Sequence, residues 1–397
     1  MKIGEFFRFD KTLAAAAVFL SLLGILFIYS ASSYSADLQF GDSLHYVKTQ
    51  AIALVLGVAL MLVLSRVPSA TLCKWSPAVY IAGLALLAAV FIPGLGVESY
   101  GAKRWLNLGF FTVQPSEYAK FGTVMLLARL AAKRGVHTFP RLLFYLAAGG
   151  AVCVLLLLEP NMSITVCVAA VVFATAFVAG AKPKHLAVIL VPVFIAAVVL
   201  VLSEPYRVRR LLAFLNPWES PLDEGYQLIQ SYYALGAGGL FGVGLFNSRQ
   251  KYLFLPFAES DFILSVIGEE TGLFGKALAL PGVLAVLAVF GIVVVRGVII
   301  ARRATDRYSC YLATGITAVI AVQTLVNVAV VCGAVPPTGL PLPFVSAGGT
   351  SLTACLAAVG MLLSVSRSSN AAFLTVGDVK DYSVKKLHKE ESAGGVL

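Results

Sequence analysis

Apolar runs of about membrane-spanning length recur ten times along the chain, near residues 13–31, 48–65, 77–93, 117–131, 142–158, 162–180, 185–203, 275–300, 310–333 and 348–366. A bilayer core takes about 20 apolar residues of helix. Backbone in lipid must also satisfy its own hydrogen bonds, so the runs predict an all-α polytopic membrane protein of about ten transmembrane helices. An even count puts both termini on one side. The basic residues of the short connections choose that side: Lys11, Arg66, Lys74, Lys133, Arg134, Lys182, Lys184, Arg302, Arg303 and Arg367 all fall on the face shared by the termini, which their excess makes cytoplasmic. The opposite face receives residues 94–116, the turn from Glu159 to Asn161, and a long outer loop, about 204–274, between helices 7 and 8. Residues 1–367 thus read as one transmembrane domain, and the polar residues 368–397 as a flexible cytoplasmic tail.

Composition agrees with this pattern. The 397 residues are 59% hydrophobic and 13% charged, against about 25% charged in a soluble domain. The net charge of +10 lies mostly in connections between spans, where it serves topology, so no nucleic-acid partner is implied. The six cysteines sit in or beside apolar segments without a CxxC pair, as buried small hydrophobes do. The N-terminal MKIGEFFRFDK lacks a cleavage site of small residues and reads as leading into a retained first span.

Candidate chemistry concentrates in the long outer loop. Between Tyr226 and Gly272, the glycines Gly236, Gly238, Gly239, Gly242 and Gly244 argue against an ordinary helix and for a bend or very close packing. Arg249, Lys251, Glu259, Asp261, Glu269 and Glu270 follow within a short span. A helix after Pro256 would put Asp261, Ser265, Gly268 and Gly272 on one small, polar face, lining a cavity or packing on another helix. The plainer alternative makes Asp261 an exposed helix cap. Glu269 and Glu270 point in other directions at 100° per residue, so the three acids do not form one cluster by helix geometry.

Three further stretches matter. In GAKRWLNLGFFTVQPSEYAK, Pro115 opens the fourth helix and Glu117 suits its positive end, but Lys120 opposes it. Either Lys120 forms a local ion pair with Glu117, or it joins Lys103, Arg104 and the helix N-terminus in an anion site facing outward. In VPPTGLPLPFVSAGGTSL, four prolines and a glycine pair around Ser346 break the backbone between the last two spans, as a structural hairpin or as a cavity wall. In LLLEPNMS, Glu159 places a carboxylate in a tight outward turn.

Taken together, RWLNLGFFTVQPSEYAK, LLLEPNMS, FLNPWESPLDEGYQLIQSYYALGAGGLFGVGLFNSRQKYLFLP, SDFILSVIGEETGLFG and PPTGLPLPFVSAGGTSL resemble, in order, the blocks of the SEDS family of bacterial cell-wall polymerases. NSRQKYLFLP and FLNPWESPL are more similar to its division branch (FtsW-like) than to its elongation branch (RodA-like). The resemblance implies ten spans in the bacterial cytoplasmic (inner) membrane and an inverting peptidoglycan glycosyltransferase. Its substrate would be lipid II, the polyprenyl-pyrophosphate-linked disaccharide-pentapeptide, polymerised at the outer face. It also implies a class B penicillin-binding protein as transpeptidase partner, other divisome or elongation proteins, and assistance by a divalent cation, Mg or Mn. By the motif SDF, Asp261 is the expected catalytic carboxylate and the one expected contact for a cation. Lys103, Arg104, Glu117, Lys120, Glu159, Arg249, Lys251, Glu259 and Ser346 are expected around the substrate. Departures occur at Asn161, often aspartate in the family, and at Phe257 and Glu259, where glutamate and histidine are common; Phe246 often appears as glycine and Ala347 as tyrosine. A lipid II flippase using the same cavity, an elongation polymerase and a scaffold for division or elongation partners are the rival readings. Clustering of the candidate residues on one face favours the enzyme over a path through the membrane.

Overall fold

A computed structural model describes residues 9–99, 102–107, 109, 112–275 and 281–369. The chain is an all-α polytopic membrane protein with one small sheet. Helices α1 (Lys11–Phe40), α2 (His45–Leu64) and α3 (Ser69–Ala89) lead to a three-stranded antiparallel sheet: β1 (Gly96–Ser99), β2 (Ala102–Asn107) and β3 (Thr112–Val113). Then come α4 (Pro115–Arg134), α5 (Phe139–Leu158), α6 (Met162–Val178) and α7 (Pro183–Leu202). Three shorter helices follow, α8 (Pro205–Leu215), α9 (Tyr226–Gly238) and α10 (Ile263–Thr271), before α11 (Val283–Arg303), α12 (Arg307–Val331) and α13 (Gly349–Ser369).

Local chemistry sets several boundaries. Asp10 accepts from the Leu13 amide at 3.0 Å to cap α1, and Asp306 accepts from the Ser309 amide at 3.0 Å to cap α12. Gly41 closes α1 with φ 66°. Proline in the first turn opens α4, α5, α7 and α8.

Among the described residues, seven helices are long and apolar enough to span a bilayer: α1, α2, α3, α5, α11, α12 and α13. Helix α6 and the apolar part of α7 are shorter. Helix α4, the fourth expected span, carries Glu117, Lys120, Arg129, Lys133 and Arg134 and is too polar to count by hydropathy, yet most of its side chains are buried. Enclosure by other helices replaces lipid around it, so polarity there costs little when paired. Helix α12 packs on α4, α6 and α11, and α13 is the most enclosed of the spanning helices. Helices α2, α3, α5 and α7 turn large apolar side chains such as Ile52, Ile81, Leu143 and Phe194 outward, as lipid-facing helices do.

The structure corrects several sequence boundaries. Helix α1 runs nine residues past residue 31, to Phe40. The eighth span starts at Val283 rather than 275, and residues 276–280 lie outside the described residues. The sequence reading had no strand in 94–116. The expected tail begins inside α13, which extends to Ser369; the rest of it lies outside the described residues. The long connection holds three short helices, α8, α9 and α10.

Its glycines behave differently from expectation as well. Helix α9 runs through Gly236 and Gly238, and the chain turns only at Gly239, Gly242 and Gly244, all with positive φ. Close packing is the reason for Gly238: a Cβ there would lie 2.0 Å from the Gly268 carbonyl oxygen of α10. The turn then returns amides to α10, with Val243 N donating to Glu269 O and Gly244 N to Glu270 O at 2.9 Å each. These bonds satisfy carbonyls that the end of a short helix would leave bare. Gly238→Ala is expected to push α9 and α10 apart and cost about 1–3 kcal/mol, the usual price of overpacking, read as a lower melting temperature in detergent; an unchanged melt would mean the two helices do not depend on this contact.

Candidate functional site

Asp261 lies two residues before α10, which begins at Ile263 behind Phe262, a cap without a side-chain bond. It is therefore neither on a helical face nor a helix cap. Ser265 and Gly268, expected to share its face, pack instead on α9: Ser265 Oγ meets Ser231 Oγ at 2.8 Å, and a Cβ at Gly268 would meet Leu235.

The backbone around Asp261 is laced to the broken segment between α12 and α13. Asn327 Nδ2 on α12 donates to Asp261 O at 2.9 Å and to Leu340 O at 2.8 Å. Ser346 Oγ donates to Ser260 O at 2.6 Å and accepts from Leu342 N at 2.8 Å. Ala347 N donates to Glu259 O at 2.9 Å. From α2, Gln50 Nε2 donates to Ser346 O at 3.2 Å while its Oε1 accepts from Gly348 N at 3.0 Å. The Asp261 carboxylate faces Gly339, where a Cβ would stand 3.2 Å from Oδ2. At φ 67°, Gly339 suits the turn and leaves that approach open.

The turn after α5 completes this end of the bundle. Arg104 on β2 donates through Nη2 to Pro160 O at 2.5 Å and through Nε to Glu159 O at 3.4 Å, the latter a long contact. Ser163 Oγ bonds Thr338 O. Both carboxylate oxygens of Glu159 and the amide nitrogen of Asn161 are buried with no hydrogen-bond partner among the described residues.

Electrostatics separate these acids from surface carboxylates. Burial pushes Asp261 up to about 6; a hydrogen bond from Ser260 opposes this, Glu259 adds to it, and Arg104 and Arg210 pull it down. Burial raises Glu259 too. Glu159 is pushed up to about 8 by burial, against the pull of Arg104. Two cations and three acids thus act on one another here.

The other expected residues sort plainly. Ser346, Glu259, Glu159 and Arg104 gather with Asp261. Lys103 is exposed on β2. Lys120 does not open to an outer anion site; it is buried in the bundle, 2.8 Å from Glu117 Oε2 and 2.9 Å from Gln323 Oε1, so the local-pair reading describes its geometry. Gln323 Nε2 then donates to Pro341 O at 3.1 Å, which links the pair to the same broken segment. Lys251 is buried with its ammonium on Phe246 O at 2.5 Å, and Arg249 is exposed while its amide donates to Glu269 Oε1 at 2.9 Å. Glu269 and Glu270 brace the 246–251 turn, the latter also accepting from Ser30 Oγ at 2.5 Å. As helix geometry predicted, they do not join Asp261.

Sequence reasoning missed Arg210, Gln50, Gln323 and Asn327. The last three were visible as polar interruptions of apolar spans. Arg210, one basic residue among several in the long connection, carried no such signal.

Two outcomes follow. Glu159 binds its proton more tightly folded, near pH 8, than unfolded, near 4.5. Its contribution to stability is therefore full below about 4.5 and is lost as pH rises through 8. Melting temperature should fall over that window in the wild type, and Glu159→Gln should remove that part of the slope. Separately, Lys120→Met should destabilise by about 3–5 kcal/mol by stranding a buried carboxylate, and the double change with Glu117→Gln should recover most of the folded yield, as size-exclusion profiles would report.

Comparisons with known proteins give the chain its family. The profile of the FtsW/RodA/SpoVE family, described as cell cycle protein, matches residues 10–371. Stage V sporulation protein E of Bacillus subtilis is 39% identical over 91% of this chain and 97% of its own. A protein named probable peptidoglycan glycosyltransferase FtsW, from Geobacter metallireducens, is 38% identical over 92% of this chain and 96% of its own. Among solved structures, a chain of a peptidoglycan synthase complex superposes with a TM-score of 0.74 at 29% identity, covering 91% of this chain and 98% of that one. Rod shape determining protein RodA of Thermus thermophilus superposes at 0.67 with 27% identity, covering 91% and 97%. With the match running from the first turn of α1 past the end of α13, the chain belongs to the FtsW/RodA/SpoVE family of cell cycle proteins.

Proposed function

We propose that this protein is a peptidoglycan glycosyltransferase that polymerises lipid II into glycan strands for septal wall synthesis. The observation that carries the reading is Asp261: a half-buried carboxylate with a proton affinity near 6, held by backbone bonds to two other parts of the bundle, with Arg104 and Arg210 acting on it. A general base works best when its proton affinity lies near the working pH. Asp261 would take the proton of the acceptor sugar's 4-hydroxyl as that oxygen bonds the donor's anomeric carbon. The bond from that carbon to the pyrophosphate breaks in the same displacement, which inverts the centre. Arg104, and Arg210 with it, would hold the departing phosphate, where charge grows in the transition state. Glu159 and Glu259 would contact the sugar or peptide moiety, and Ser346 positions the base through Ser260.

Mg or Mn fits this arrangement in part. Among the described residues no three His, Cys, Asp or Glu side chains group as ligands. Asp261 and Glu259 nevertheless lie near enough for one charge to raise the other's proton affinity. A hard cation held by one or two carboxylates plus substrate phosphates is the usual pattern for Mg. Such an ion would neutralise charge on the leaving pyrophosphate.

The partner proposed is a class B penicillin-binding protein, since a similar chain was solved in a peptidoglycan synthase complex. Other divisome proteins are proposed with it. We propose the site at the outer face of the cytoplasmic membrane and both termini inside, a reading that the basic residues of the opposite end support.

Purified protein, with and without its transpeptidase partner, should make glycan from lipid II. Asp261→Asn keeps size but not basicity and should lower turnover by at least roughly 100-fold while the melt stays intact. In the wild type, turnover should rise with pH through about 6, as the base loses its proton; near-normal synthesis by Asp261→Asn would remove the assignment. For orientation, a membrane-impermeant thiol probe applied to whole cells should label a cysteine placed at Lys103 and spare one at Ser392, in a background cleared of the native six cysteines; the reverse pattern would invert the topology.

A further inference from the structure

At the basic end of the bundle lies a cleft that glycan synthesis does not use. It encloses about 160 Å³ between the first turn of α1, the last turns of α11 and the end of α13. Lys11, Arg296 and Arg303 put three cations on its wall, and Thr12 and Ser366 add hydroxyls, while Ser369 Oγ already donates to Val365 O at 3.0 Å. The acid on the wall, Asp10, is already engaged twice. Its Oδ1 accepts from Leu13 N at 3.0 Å, and its Oδ2 accepts from Arg296 Nε at 2.8 Å. Among the described residues, no carboxylate pairs with Lys11 or Arg303.

Topology bias accounts for Arg303, because a cation at the end of α11 also complements the helix dipole. Lys11 also counts towards that bias, but unlike Arg303 it stands at the wrong end of its helix. A cation in the first turn of α1 faces the positive end of its own helix, and the leading amides of α1 point the same way. Lys11, Arg303 and the ion-paired Arg296 therefore leave, against the single charge of Asp10, a concave surface with excess positive potential and two hydroxyl donors. Phe9 and Ile299 continue its wall in apolar side chains. Since α11 and α13 are membrane-spanning, their ends bring the cleft to the boundary between lipid and water.

We infer that this cleft binds the phosphate of an anionic phospholipid headgroup, with Lys11 and Arg303 as its principal charge contacts, the hydroxyls as donors, and the apolar wall against the acyl chains. Basic pockets between helices at a membrane surface take phosphate headgroups by these same contacts. The free phosphate ion shares that chemistry and is distinguished by experiment.

The full-length protein is placed in nanodiscs of phosphatidylcholine alone, of phosphatidylcholine with phosphatidylglycerol, and of phosphatidylcholine with inorganic phosphate in solution. A bound headgroup should raise the melting temperature by about 2–4 °C in the phosphatidylglycerol discs, the scale of a modest ligand linkage in a chain of this kind. The gain should shrink in high salt. The variant Lys11→Gln with Arg303→Gln should lose the gain while keeping its melt in phosphatidylcholine. The control Lys182→Gln with Lys184→Gln, on the same face but outside the cleft, should retain it. A gain from inorganic phosphate alone, lost in the cleft variant, would keep the phosphate site and assign it a soluble ligand. Absence of any gain, or equal loss of it in the control pair, would overturn the inference.

Discussion

The structure depends on how the broken backbone between α12 and α13 finds its hydrogen bonds. Residues 332–348 carry four prolines and several turns, and from 340 to 346 they are mostly buried, where bare carbonyls or amides would each cost roughly several kcal/mol. The bundle answers with long polar side chains from inside its apolar helices. Gln50 serves both Ser346 O and Gly348 N, Gln323 serves Pro341 O, and Asn327 serves Leu340 O. Each of these side chains is almost wholly buried. Replacing any one would expose its partners rather than merely remove a bond.

The same bonds position Asp261. Asn327 holds Leu340 with one nitrogen that also holds Asp261, and Ser346 both closes its own turn and grips Ser260. The carboxylate is therefore carried on two irregular segments that rigidify each other, and α12 supplies a firm helix behind both. Beneath them, Lys120 meets Glu117 and Gln323 at once, which joins α4 to the broken segment without a charge left alone. Placement of a base to within a fraction of an ångström needs supports of this kind.

Burial around Asp261 has an energetic consequence as well as a geometric one. Desolvation raises the proton affinities of Asp261, Glu259 and Glu159, while Arg104 pulls down those of Asp261 and Glu159. At neutral pH Asp261 is thus ionised near its titration point, while Glu159 keeps its proton. One environment supplies two protonation states, an arrangement suited to moving a proton during group transfer.

Much of this was legible in the amino-acid order, because the constraint that a lipid environment imposes is one-dimensional. Apolar runs long enough to span, basic residues on alternate connections, and proline at helix starts such as Pro115 report on the chain locally, and the ten longer helices follow them with boundary shifts of up to nine residues. The charged fourth helix and the glycine-rich helix α9 departed from expectation since enclosure, not composition, decides what a helix tolerates: Lys120 is neutralised by partners 3 and 203 positions away, and Gly238 sits where another backbone touches it. The sequence singled out Asp261 but put it on the wrong kind of element, and it could not show that Arg104, Arg210, Glu159 and Ser346, spread over more than 240 positions, gather near it. Which distant residues share a site is set by how helices pack and how buried polar groups are satisfied, and both are properties of three dimensions.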